Sequence, residues 1–324
     1  MAGFELYAAR EPRDRRTWTA AIIVLGIVFF VIASIIPFIP FLVKQIAAVH
    51  ANPELAKHPA RPVIGLMEMF LPTALQIVFI LLWVAVFERR VPAKIGFNEK
   101  AFPRFARGFL VGCAFLVAVV GGLWAVGVYQ VDNWAVWSRP DAMAFLTIGG
   151  YALLFMVQGS SEETFMRGWL MGTTASRHGI VWAVVINAIV FGLMHLGNIT
   201  PSPELFAGAG NVALFGVFIS LYAARERSIW GVCGWHAAWN WLLGVGFGLE
   251  VSGLKLKVTP LVVDLKDAPG QPWWLSGGTW GPEASVFTTI VLLVGIIVLI
   301  GKGALKPGNS YPAPVSQTPE EALG

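Results

Sequence analysis

Apolar runs of about twenty residues recur along this chain almost from end to end. The first begins at Trp18 and is broken only by Pro37 and Pro40. Others follow at roughly 70–87, 108–129, 143–176, 180–197, 209–224, 228–248 and 284–301. A helix needs about 20 predominantly apolar residues to cross the hydrocarbon core of a bilayer. Backbone polar groups in lipid must be satisfied internally, so only helices or a closed barrel can span. Barrel strands alternate in polarity over about ten residues, and these runs are longer and continuous. The pattern predicts an all-α, polytopic membrane protein with about eight transmembrane helices. Of its 324 residues, 56% are hydrophobic and 13% charged. A soluble domain carries about 25% charged residues. Soluble globular, disordered and fibrous classes are thereby excluded.

The organisation follows from what flanks the runs. Residues 1–17 form a polar arm carrying Arg10, Arg13, Arg15 and Arg16. Residues 18–302 form the membrane domain, and 303–324, rich in Pro, Ser and Glu, read as a disordered tail. The first run exceeds the 7–15 residues of a signal-peptide core, so it is expected to remain as a helix. With eight spans, fifteen Lys and Arg fall on the side of the arm. They are those four, Arg89, Arg90, Lys94, Lys100, Arg104, Arg107, Arg177, Arg225, Arg227, Lys302 and Lys306. Seven fall opposite: Lys44, Lys57, Arg61, Arg139, Lys255, Lys257 and Lys266. This asymmetry places both termini in the cytoplasm. The net charge of +4 therefore reflects membrane topology, and no nucleic-acid partner is expected. Cys113 and Cys233 both lie in apolar runs, which excludes a disulfide framework. Trp134, Trp137, Trp273, Trp274 and Trp280 read as an interfacial aromatic belt. Glu68 and Asn211 read as interfacial polar residues.

Ionisable groups within spans are costly and usually mark function. Three clusters qualify. The first is Ser160-Ser161-Glu162-Glu163-Thr164-Phe165-Met166-Arg167. Adjacent Glu side chains point about 100° apart on a helix, whereas Glu163 and Arg167, four apart, share a face and can pair. Glu162 is then left to face a site. The second cluster ends Phe191-Gly192-Leu193-Met194-His195. The third is His236-Ala237-Ala238-Trp239-Asn240, where spacing four puts His236 and Asn240 on one face. Ala237, Ala238, Gly231 and Gly234 let neighbouring helices come close.

A depth argument joins the clusters. Glu162 and His195 lie symmetrically about the turn at Ser176-Arg177-His178-Gly179. A helical hairpin there sets both at the same height, about 24 Å along the axis. The third helix rises from the same side, just after Arg227, and reaches that region at His236 and Asn240. Asn187, two turns before His195, is a candidate supporting group.

These clusters resemble the three motifs of the CPBP family, the CAAX-protease and bacteriocin-processing (Abi) intramembrane proteases. The family pattern is E-E-x-x-x-R, then F-x-x-x-H, then H-x-x-x-N or D. Here it stands as Glu162 to Arg167, Phe191 to His195, and His236 to Asn240. The resemblance covers about residues 143–250. It implies peptide-bond hydrolysis in a bacterial inner membrane, on a membrane-associated or lipid-modified protein or peptide. By position it implies that Glu162 and His195 activate the attacking water. His236 and Asn240 would bind the oxyanion, and Glu163 and Arg167 would order the site. Water must reach such a site, and a hydrated cavity open to the cytoplasm is expected.

Cofactor use stays open on the sequence. Glu162, His195 and His236 match a catalytic zinc set of three protein ligands. The same residues also suit a metal-free glutamate mechanism. A transporter, or a catalytically idle scaffold or immunity protein, is the alternative to an enzyme. A transporter would be expected to carry an inverted repeat, and none is seen.

Overall fold

The computed structural model describes residues 4–52 and 66–306. Helix α1 (Thr19–Ile35) passes through a 3₁₀ turn at Ile36–Phe38 into α2 (Ile39–Ala51). Pro37 and Pro40, each lacking a backbone N–H, sit at the starts of those two segments. Then come α3 (Leu66–Val86), α4 (Ala101–Ala125) and α5 (Ala142–Glu163). Helix α5 continues unbroken into a π-helical stretch, Thr164–Met171, and then α6 (Gly172–His178). Helices α7 (Ile180–Met194), α8 (Pro203–Glu226) and α9 (Trp230–Trp241, with a π turn over Leu242–Gly246) follow. A short α10 (Trp273–Ser276) and α11 (Val286–Gly301) complete the set.

Each of the eight expected spans coincides with a helix. Five segments are long and apolar enough to cross a membrane on their own: Thr19–Phe38, Met69–Val86, Ala101–Ala125, Ala142–His178 and Pro203–Glu226. Ile180–Met194 and Val286–Gly301 are shorter apolar helices. The chain is a polytopic helical membrane protein. Its only sheet among the described residues pairs β1 (Tyr129–Asn133) antiparallel with β2 (Asp264–Asp267).

The helical hairpin turns where expected. Gly179 ends α6 with φ +84°, a left-handed value that a side chain would strain. Helix α7 starts at the next residue. The polar arm is folded onto this end of the bundle. Leu6, Tyr7, Asp14 and Thr17 are buried. Lys94 Nζ pairs with Asp14 at 2.6 Å, and Arg16 pairs with Glu5. Glu88, fully buried, accepts from the Thr17 amide at 3.0 Å and from the Trp169 indole at 2.9 Å. Residues 4–17, 88–100, 177–179 and 226–229 thus form one end of the molecule. The segments 127–141, 195–202 and 248–285 form the other.

Three expectations are corrected here. Trp134, Trp137, Trp273 and Trp274 are exposed, but Trp280 is fully buried against Gly208 of α8. It is core, because residues 248–285 fold back over the helix ends. Asn211 is also buried, and its amide donates to the carbonyls of Glu283 (2.8 Å) and Ser285 (3.1 Å). It ties α8 to the turn that starts α11. The tail expected from 303 begins with an ordered turn in which Ala304 is buried. Its remainder, 307–324, lies outside the described residues.

Candidate active site

Close packing of α5 on α9 creates the site. Gly159 lies one turn before Glu163, and a Cβ there would stand 3.0 Å from the Ala237 amide nitrogen. Small residues at such a crossing let helix backbones approach. The approach carries His236 onto the Glu pair. His236 Nδ1 is 2.8 Å from Glu163 Oε1, and its Nε2 is 3.7 Å from Glu162 Oε2.

The two adjacent carboxylates have different surroundings. Glu163 is fully buried, and Arg167 Nη1 donates to its Oε1 at 3.1 Å. Arg167 is itself fully buried and lies over the Phe191 ring, 4.6 Å from its centroid. Glu162 has a side chain 26% accessible and faces a cavity of about 460 Å³. Gln158, one turn back, donates to Glu162 Oε1 at 2.6 Å. Glu162 Oε2 is buried and makes no hydrogen bond. A buried acceptor of that kind calls for an explanation, and a bound water or substrate group is one.

The same cavity is lined by His195, His236 and Asn240. All four motif side chains expected to carry chemistry therefore share one space. His195 Nδ1 lies 2.8 Å from the Phe191 carbonyl oxygen, to which it can only donate. In a neutral ring this leaves Nε2 as an acceptor. Phe191 packs edge-on to both histidines, with centroids 4.8 Å from His195 and 6.2 Å from His236. Asn240 Nδ2 donates to Gln158 Oε1 at 3.0 Å.

Gln158 was not among the residues singled out in the sequence. It joins Glu162 on its own helix to Asn240 on α9. Its one signal is position, an amide in an apolar run four residues before Glu162. Asn187 lies behind the site, where its amide donates to the Met166 carbonyl within the π stretch and its Oδ1 accepts from Ser220 at 3.5 Å. Tyr7 also supports that stretch, donating to the Arg167 carbonyl at 2.6 Å.

The zinc set Glu162, His195 and His236 is not assembled. Among the described residues, no three His, Cys, Asp or Glu side chains are grouped to hold a metal ion. Both nitrogens of His236 are directed at the two glutamates.

These helices carry the comparison with known proteins. Residues 144–242 match the family model described as type II CAAX prenyl endopeptidase Rce1-like, in agreement with the CPBP resemblance. The matched segment contains all three motifs and stops just after Asn240. The match supports an endopeptidase activity seated in the membrane. No curated protein and no solved structure matches the chain.

Proposed function

We propose that this protein hydrolyses a peptide bond of a membrane-associated protein or peptide, with Glu162 as general base. The observation that carries this reading is the difference between the paired glutamates. Glu163 is fully buried and engaged by Arg167 and His236, while the partly accessible Glu162 side chain lines the cavity.

The attacking water sits between Glu162 Oε2 and His195. Its oxygen adds to the scissile carbonyl carbon as one proton passes to Glu162. His195, with Nδ1–H on the Phe191 carbonyl, accepts a hydrogen bond from the other water O–H at Nε2 and orients the nucleophile. A general base of this kind is typically worth ~10²–10⁴-fold in rate. The oxyanion forms beside His236 and Asn240, and donors aimed at that oxygen lower the barrier further. His236 donates through Nδ1 to Glu163, so Nε2–H is available only when the ring is an imidazolium. That charge balances the site, two carboxylates against one guanidinium and one imidazolium. When the C–N bond breaks, Glu162 returns its proton to the leaving amine.

Gln158 keeps Glu162 and Asn240 in register. Glu163 and Arg167 fix the ring of His236 and the π stretch beneath it. The test is a comparison of membrane peptides in cells carrying wild-type protein or Glu162→Gln. A set of cleaved ends present only with wild type supports the reading, and identical peptide sets overturn it.

A further inference from the structure

The cavity and the basic end of the molecule lie at opposite ends of the bundle. The arm, Arg90 and Lys94, Arg177 and the turn at Arg227 are held together by contacts among residues 4–17, 88–100, 175–179 and 226–229. The Lys94–Asp14 pair and the bonds from Phe4 to Ala175 and from Ser228 to Gly96 are among them. Helices α1, α7 and α11 pass between this end and the other. The other helices lining the cavity do so toward their remote ends, while α5 crosses to it and lines it with Leu154, Phe155, Gln158 and Glu162. Ser34 lies near the end of α1, Thr73 near the start of α3, His195 just after α7 and Asn211 in the first turns of α8. The rest of the wall includes Ser252 and Leu254 of the loop after α9, and Leu254 is 51% exposed at the mouth.

The floor is closed. Below Glu162 the π stretch buries Phe165, Met166, Arg167 and Trp169 completely or nearly so. Beneath it the bundle is sealed by Tyr7 of the arm and by Glu88, which follows α3 and accepts from the Thr17 amide. Access from the basic end would require that whole layer to open.

The charge count assigns the sides. Fifteen Lys and Arg flank the spans at the arm end and seven at the cavity end, two of those, Lys57 and Arg61, lying outside the described residues. Short loops rich in Lys and Arg stay in the cytoplasm. A cytoplasmic arm and a cavity open to the cytoplasm therefore cannot both hold, because the two are at opposite ends.

We propose that the cavity opens on the extracytoplasmic face. Resting on the endopeptidase reading, this makes the substrate an outward-facing, apolar segment of a membrane-anchored protein, not a lipidated tail presented from the cytoplasm. Phe155, Phe215 and Leu254 give the cavity the apolar walls such a segment would enter.

Single cysteines test the sidedness in the full-length protein, with Cys113→Ala and Cys233→Ala as background. Ala9, Ser138 and Thr259 are exposed, the first on the arm and the others at the cavity end. Cells are treated with a membrane-impermeant maleimide before and after permeabilisation. Ser138→Cys and Thr259→Cys should label in intact cells, and Ala9→Cys only after permeabilisation. The reverse pattern would overturn the proposal. Peptides cleaved in wild type and intact with Glu162→Gln should have their new ends in outward-facing segments, and ends confined to cytoplasmic segments would overturn the substrate side. Outward labelling without any Glu162-dependent cleavage would uphold the sidedness and overturn the endopeptidase reading.

Discussion

His236 Nδ1 lies 2.8 Å from Glu163 Oε1, so the histidine of the third motif is anchored on the second glutamate of the first. That contact crosses from α9 to α5, and it divides the labour of two adjacent carboxylates. Glu163 orients a ring and neutralises an arginine, while Glu162 is left to the cavity.

Replacing Glu163 with Ala should therefore damage both folding and activity. It strands buried Arg167, and removing one partner of a buried pair costs about 3–5 kcal/mol. Thermal unfolding in detergent should show the loss. The double variant Glu163→Gln, Arg167→Met should recover part of the stability without activity, because His236 stays unanchored. A Glu163→Ala protein of wild-type stability would contradict the pairing.

Gln158→Ala should leave stability nearly intact and lower turnover by ~10²-fold, the cost of a small misplacement of reacting groups. The amide donates to Glu162 and accepts from Asn240, so its loss frees both side chains. A Gln158→Glu variant, which cannot donate to Glu162 when ionised, should not restore the rate. Turnover equal to wild type in both variants would show that the two side chains need no common partner.

Tyr7→Phe should destabilise the protein by about 1 kcal/mol, the usual net worth of one hydrogen bond. The lost bond runs to the Arg167 carbonyl across 160 residues of chain. Unfolding midpoints compared at matched detergent concentration would reveal it, and an unchanged midpoint would mean that the arm packs without supporting the motif helix.

Elemental analysis of purified protein should find no stoichiometric zinc, because the three candidate ligands are not grouped at one point. About one zinc per chain, lost together with activity in His236→Ala, would mean that the glutamates and histidines regroup around a metal.

Much of this site could be read from spacing alone. Four residues separate Glu163 from Arg167 and His236 from Asn240, and a helix turns such intervals into shared faces. A helical hairpin about Gly179 sets Glu162 and His195 at one height from residue counting alone. Contacts between helices were beyond that reading. The His236–Glu163 bond depends on how closely α5 approaches α9 at Gly159. Gln158 went unremarked because a lone amide costs far less in an apolar run than a charge. Trp280 and Asn211 were placed at the membrane interface because nothing local shows that 248–285 folds back over the bundle. The arm reads as a polar, arginine-rich segment, yet its acidic residues pair with Arg16 and Lys94, and Tyr7 packs beneath the motif helix.

The most direct measurement is turnover of a Glu162-dependent membrane substrate by purified wild-type protein and by Glu162→Gln in the same bilayer. The substitution keeps shape and leaves the Glu163–Arg167 pair untouched. A loss of ~10²–10⁴-fold at unchanged thermal stability is the predicted result. Turnover within a few-fold of wild type would show that the water is activated elsewhere and would contradict the account.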